Sequence, residues 1–149
     1  MKNTHELLTA GYAGHDPDSF LSTLQDHDVE LVVDVRQNPV SRKKGFSRSK
    51  LSEFLADHGV AYLHIGALGP PKDLRSLLKD RSFDLDEYFA AFRDYLLDQE
   101  PALDELSALT AEKRCCLICL EHLSNECHRS VVADVVASWN GHKVKVTHL

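Results

Sequence analysis

The sequence contains no hydrophobic run approaching the roughly 18 residues that a membrane-spanning helix requires. Its opening, Met1-Lys2-Asn3-Thr4-His5-Glu6, lacks the apolar core of a signal peptide. A cytoplasmic location without a membrane partner is the expectation. Positive charge is in deficit too: 17 Lys and Arg against 23 Asp and Glu leave a net charge of −6. That balance argues against a surface holding duplex nucleic acid by general phosphate neutralisation. A local basic site stays open, because Arg36, Arg42, Lys43, Lys44, Arg48 and Lys50 crowd into fifteen residues; the competing reading is a solvated charged loop. Cysteine is scarce and clustered. Cys115, Cys116, Cys119 and Cys127 fall within thirteen residues, so they cannot tie distant loops together, and reduced thiols are expected. Gly11-Tyr12-Ala13-Gly14 is not the G-x-G-x-x-G fingerprint, so no nucleotide cofactor is expected. Repeats and low-complexity tracts are absent.

What is present fits one domain spanning 1–149. The chain is 43% hydrophobic and 27% charged, an ordinary globular composition, and its length suffices to bury roughly two-thirds of the unfolded surface. Short apolar runs alternate with amphipathic stretches, the pattern of βαβ units and parallel pairing. Strands are predicted at 7–12, 31–35, 60–65, 115–120 and 143–147. Helices are predicted at 16–27, where Asp16 caps and Pro17 suits the first turn, and at 49–58, stopped by Gly59. Further helices are predicted at 84–97, 101–109 and 129–139. Leu85, Tyr88, Phe89, Phe92 and Leu96 recur at helical spacing and read as core. The expected fold is a three-layer α/β architecture, with a mainly parallel five-stranded sheet and helices on both faces. An antiparallel last strand remains open.

In an open parallel sheet, ligands bind beyond the carboxyl ends of the strands. That rule gathers Tyr12, Asp34, Arg36, His64, Cys119, Glu121 and His148 at one edge, together with the start of the helix at Arg129. The densest segment is Cys116 to Arg129, a strand, a polar loop and a helix opening. A helix N-terminus carries free N–H groups and about half a positive charge. Arg129 adds a planar fork suited to phosphate or carboxylate. The same field would favour a thiolate at Cys127, with His128 as proton acceptor. Cys127 has two other readings: a buried structural thiol, or a metal ligand beside Cys119 and His128, whose spacing matches no standard zinc motif. Asp34 and Arg36 form either a structural ion pair or, with Arg42, a grip on an anion. His64 is either a satisfied strand-end histidine or a proton donor, and Leu68-Gly69-Pro70-Pro71 is a rigid loop placed to rim the pocket.

The stretches Thr9-Ala10-Gly11-Tyr12, Leu31 to Pro39 with Ser41, Arg42 and Phe46, and Ala61-Tyr62-Leu63-His64 with Leu68-Gly69 form an ordered set. They are followed by Cys119-Leu120-Glu121, by Cys127-His128-Arg129 and by a closing strand from Val144 to Leu149. In this order they resemble the motifs of the DUF488 family, a bacterial and archaeal group named for its lack of an assigned function. One departure from the family is visible: Ser124 stands where a proline usually lies between the Glu and the Cys, which should loosen that loop slightly. The resemblance implies that Arg36, Arg42, Glu121, Cys127, His128 and Arg129 act together.

The leading expectation is an enzyme binding an anionic, phosphate- or nucleotide-like molecule. Tyr12, Asp34, Arg36, Arg42, His64 and Arg129 would contact the substrate, Cys127 would serve as nucleophile or redox thiol, and Glu121 or His128 would move the proton. One rival is a non-catalytic module for phosphate or nucleic acid, and another is a metal site at Cys119, Cys127 and His128.

Overall fold

The computed structural model describes residues 6–39, 41, 43–82, 84–119, 128–141 and 144–149. Five strands form one sheet: β1 (Glu6–Gly11), β2 (Leu31–Asp34), β3 (Ala61–His64), β4 (Cys115–Cys119) and β5 (Lys145–His148), in the order β3-β2-β4-β1-β5. Every pairing is parallel, including β5, whose Lys145 lies beside Glu6. The expected three-layer α/β fold is therefore present, and the antiparallel option for the last strand is not. The described residues hold six α-helices, α1 (Pro17–Asp26), α2 (Arg48–Asp57), α3 (Lys72–Lys79), α4 (Leu85–Leu97), α5 (Glu100–Glu112) and α6 (Arg129–Ala137), with 3-10 turns at Gly66–Leu68 and Trp139–Gly141. No helix among the described residues is long and apolar enough to cross a membrane.

The helix starts follow from local chemistry. Asp16 accepts from the Ser19 backbone N–H at 2.7 Å while the Ser19 hydroxyl accepts from the Asp16 N–H at 3.1 Å, and Pro17 occupies the first turn. This reciprocal cap satisfies donors that no helical carbonyl can reach. Asp84 and Glu87 repeat the device at α4. α3 has no counterpart among the predicted helices.

Both faces of the sheet are covered, and strand alternation assigns each residue its layer. Leu7, Leu31, Val33, Cys115 and Leu117 pack with Phe92, Leu96, Leu103, Leu106 and Val132 of α4, α5 and α6. Leu8, Ala10, Val32, Cys116 and Ile118 pack with Phe20, Leu24, Leu51 and Leu55 of α1 and α2. The inner strands β2 and β4 thus read as near-continuous apolar runs, and polar groups appear where they end. Gly69 fits a specific constraint: a Cβ there would collide with the Gln37 backbone nitrogen and meet the Val35 carbonyl oxygen at 2.7 Å. The loop after β3 is therefore pressed against the backbone leaving β2.

Candidate functional site

At the end of β2 the fully buried Asp34 carboxylate accepts from the Arg36 backbone N–H at 3.2 Å, from Arg36 Nε at 2.8 Å, from Arg36 Nη2 at 2.6 Å and from the Tyr62 hydroxyl. Arg36 Nη1 donates to the Tyr12 hydroxyl at 3.1 Å and to the Phe46 carbonyl at 2.8 Å. Tyr12 in turn stacks on Phe46 with centroids 4.5 Å apart, and the Arg36 guanidinium carbon lies 5.3 Å from the Tyr12 ring centre. Burial opposes the charge on Arg36, but the hydrogen bonds and charge of Asp34 outweigh it and raise its pKa. Burial first, and Asp34 second, push the Tyr62 phenol up. Four of the five N–H groups of Arg36 are engaged inside the protein, which leaves little of its fork for a ligand. Of the two readings of this pair, the geometry favours an internal brace.

Two histidines meet the backbone just beyond β2. His64 Nε2 lies 2.6 Å from the Arg36 carbonyl oxygen and His128 Nε2 lies 2.8 Å from that of Val35. A carbonyl only accepts, so each Nε2 bears the proton and donates. Burial lowers the pKa of His128 to about 4; its bond to Val35 opposes that shift and the charge of Arg129 adds to it. His128 is thus neutral near pH 7, with the lone pair on Nδ1.

Arg129, the first residue of α6, is fully buried and donates from Nη1 to the Cys119 sulfur at 3.4 Å. Cys119 is disulfide-bonded, which overturns the expectation of reduced thiols for this residue. Cys115 and Cys116 are free and buried. Burial raises the Cys115 thiol to about 12 and raises that of Cys116 further, so neither is a ready nucleophile. Near Arg129, His148 Nδ1 lies 2.5 Å from the Thr9 hydroxyl, and burial followed by the Arg129 charge lowers its pKa.

These side chains share an edge but not a face. Asp34, Arg36, Tyr12 and Tyr62 sit with the α1 and α2 layer, whereas Cys119 and Arg129 sit toward α6. The backbone leaving β2 joins the two groups through the carbonyls of residues 35 and 36, and both Asp34 and Arg129 act electrostatically on His128. Arg42, Glu121 and Cys127 lie outside the described residues. Among the described residues no group of three or more His, Cys, Asp or Glu is arranged to hold a metal ion, and a disulfide sulfur is not the thiolate that zinc takes.

The described residues of the fifteen-residue basic stretch differ in their settings. Arg36 faces inward, Lys43 lies 6.0 Å from the Phe46 ring centre, and Arg48 opens α2. A hollow of about 340 Å³ lined by Arg93, Ser130, Val131, Asp134, Val146 and His148 adjoins the α6 start. A larger one, about 560 Å³, lies at the opposite ends of the strands beside Glu30, Val60 and Arg114. Its arginine is held by Glu6 at 2.8 Å and by the His27 carbonyl at 2.5 Å, so it serves the scaffold.

Sequence reasoning left Tyr62, Gln37 and Arg75 out of the site. Tyr62 carried a signal: it pairs with Val32, one pleat before Asp34, and so shares the face of that carboxylate. Arg75 Nη2 donates to Gln37 Oε1 at 2.8 Å, and its charge reaches His128. It stands on α3, which was not predicted. A family model described as "Domain of unknown function DUF488" matches residues 16–136. No curated protein and no solved structure matches the chain.

Proposed function

The chain belongs to the DUF488 family, whose description names no activity, and from the chemistry at its strand ends we propose an enzyme that binds an anionic, phosphate- or nucleotide-like substrate. One observation carries this reading: a fully buried guanidinium, Arg129, opens α6 directly after an imidazole held neutral, His128. A planar guanidinium suits phosphate or carboxylate, and the N–H groups of a helix start favour the same anions. Arg129, with Arg42, holds the negative charge. Cys127 is the nucleophile, and His128 or Glu121 moves the proton; a neutral imidazole with a lone pair at Nδ1 suits that task. Asp34, Arg36, Tyr12 and Tyr62 brace the β2 exit whose Val35 carbonyl takes the His128 bond, and His64 fixes the same backbone from the β3 side.

The test is a thermal-shift screen with inorganic phosphate, nucleotides and sugar phosphates. A specific ligand at about 100 times its Kd stabilises by about 2.7 kcal/mol, a rise of roughly 5–10 °C for a chain of this size. The rise should vanish in Arg129→Lys, where the planar fork is lost. No shift with any anion, or an equal shift in the variant, overturns the proposal. Cys127→Ser that retains the shift and abolishes turnover supports catalysis; retention of full turnover reduces the protein to a binding module.

A further inference from the structure

We propose that Arg75 is the outer phosphoryl contact of this site, held on Gln37 until a phosphate displaces the amide. The inference rests on the anion-binding reading above and names the residue that meets the ligand first. Three successive residues leaving β2 are met by three different segments: the Val35 carbonyl by His128, the Arg36 carbonyl by His64, and the Gln37 side chain by Arg75, whose Nη2 donates to Oε1 at 2.8 Å. Arg75 is thus anchored one residue beyond the backbone that carries the two imidazoles. The loop that brings it there is fixed, because Gly69 is pressed against the backbone of Val35 and Gln37, and the chain then passes through Pro70-Pro71 into α3. The Arg75 charge also acts on His128, as does that of Arg129. The two arginines differ in reach: Arg129 is fully buried, whereas Arg75 and Gln37 are exposed, so a solute arriving from water meets Arg75 first.

What holds Arg75 is easily displaced. Gln37 offers a neutral amide oxygen, and among the described residues no carboxylate pairs with Arg75, although the chain has 23 Asp and Glu. A single hydrogen bond leaves the other N–H groups of the guanidinium for a phosphate, which the planar fork can grip bidentately. The neighbouring charges point the same way. Lys72, Arg75 and Lys79 recur at i, i+3 and i+7 and stand within about 60° of one another around the helix. All three are exposed, on the side of α3 opposite Leu74, which packs against the core. Like charges three and four residues apart destabilise a helix, so the stripe costs the scaffold and is explained by an anion outside it. Three cations favour a doubly charged phosphate over a singly charged carboxylate.

The experiment titrates inorganic phosphate into the full chain near pH 7 at fixed ionic strength and follows the His128 ring resonances by NMR. Wild type should give a saturable shift, with acetate binding more weakly. Arg75→Gln should weaken phosphate binding by about tenfold or more, the loss of a charge-assisted contact, and Arg75→Lys by less, because the charge stays and the fork goes. Gln37→Glu should weaken it severalfold, since its carboxylate competes for the guanidinium, while Gln37→Leu should bind at least as tightly as wild type. These side chains are exposed, so the urea midpoints should hold. An Arg75→Gln affinity within twofold of wild type, or a loss matched by a fallen midpoint, overturns the proposal. So does acetate bound as tightly as phosphate, or a wild type without a saturable shift. The thermal-shift screen on Arg129→Lys decides the earlier reading separately, so that reading can stand where this one falls.

Discussion

Replacing Asp34 by asparagine tests the brace beneath the site. The carboxylate is fully buried and serves four donors: three N–H groups of Arg36 and the Tyr62 hydroxyl. Whichever way the introduced amide turns, its NH₂ faces an N–H of Arg36. With the amide nitrogen at the Oδ2 position it opposes Nη2; at the Oδ1 position it opposes both Nε and the backbone N–H. Tyr62 can rotate its hydroxyl to accept, but arginine has no acceptor. The guanidinium is then a buried charge without its counter-ion, a loss of about 3–5 kcal/mol. That is a large share of the roughly 5–15 kcal/mol that holds a domain folded. Urea unfolding followed by circular dichroism should show the midpoint falling accordingly, and the melting temperature should drop by about 10 °C. Tyr62→Phe removes one donor and no charge, and should cost about 1.5 kcal/mol. Removing both ions, as in Asp34→Leu with Arg36→Met, should cost less than the sum of the two single changes. Asp34→Asn within 1 kcal/mol of wild type, or strict additivity in the double variant, would refute the claim that Arg36 is committed to Asp34.

Two more predictions concern the same edge. Folded His128 titrates at about 4 against an ordinary 6.5, so as pH falls the unfolded chain takes up the proton first. Stability is full above pH 6.5 and declines between 6.5 and 4 by at most about 3 kcal/mol, less for the solvent contact that the ring keeps. Subtracting the stability–pH curve of His128→Gln from that of wild type isolates this contribution, and superimposed slopes over that window would dismiss it. Gly69→Ala should cost about 2 kcal/mol or more, because its Cβ would run into the backbone of Val35 and Gln37. Gly14→Ala, with nothing within 4 Å and φ +85, should cost about 1 kcal/mol, and a reversed order in urea titrations would contradict the close approach of the two loops.

The sheet was legible because its inner strands are buried on both faces, which turns β2 and β4 into unbroken apolar runs, Leu31-Val32-Val33 and Cys115 to Ile118. The five helices read from periodicity and caps carried residues such as Asp16, Asp84 and Pro17, whose chemistry is local. α3 escaped because it is only eight residues long and mostly exposed, so no broad apolar stripe announces it, and Arg75 escaped with it. The edge was legible from the rule for parallel sheets. What the residues could not disclose was which layer each polar group joins. Asp34 and Cys119 both end strands, but alternation sends them to opposite helix layers, and the parity of a strand end depends on register set by tertiary pairing. Nor could spacing distinguish Arg36 as a ligand grip from Arg36 as a brace, since that depends on Tyr12, Phe46 and Tyr62 arriving from other segments.

The two histidines show why structure and chemistry are hard to separate at this edge. Past the end of β2 the ladder stops: Ile65 N–H still donates to the Asp34 carbonyl at 3.1 Å, but the next two carbonyls, of Val35 and Arg36, take their donors from His128 and His64. A buried carbonyl left unserved costs about 1–3 kcal/mol, so each imidazole completes the sheet, and the same bond fixes its tautomer. Glutamine keeps an N–H donor and discards the ring base, whereas alanine discards both. His128→Gln should therefore stay within about 1 kcal/mol of wild type near pH 7 and His128→Ala should lose about 2 kcal/mol. If His128 moves the proton, both should lose turnover alike, by roughly 10²–10⁴-fold. Turnover that tracks stability across the pair, with His128→Gln active, would reduce His128 to a strand-end donor and pass the proton to Glu121.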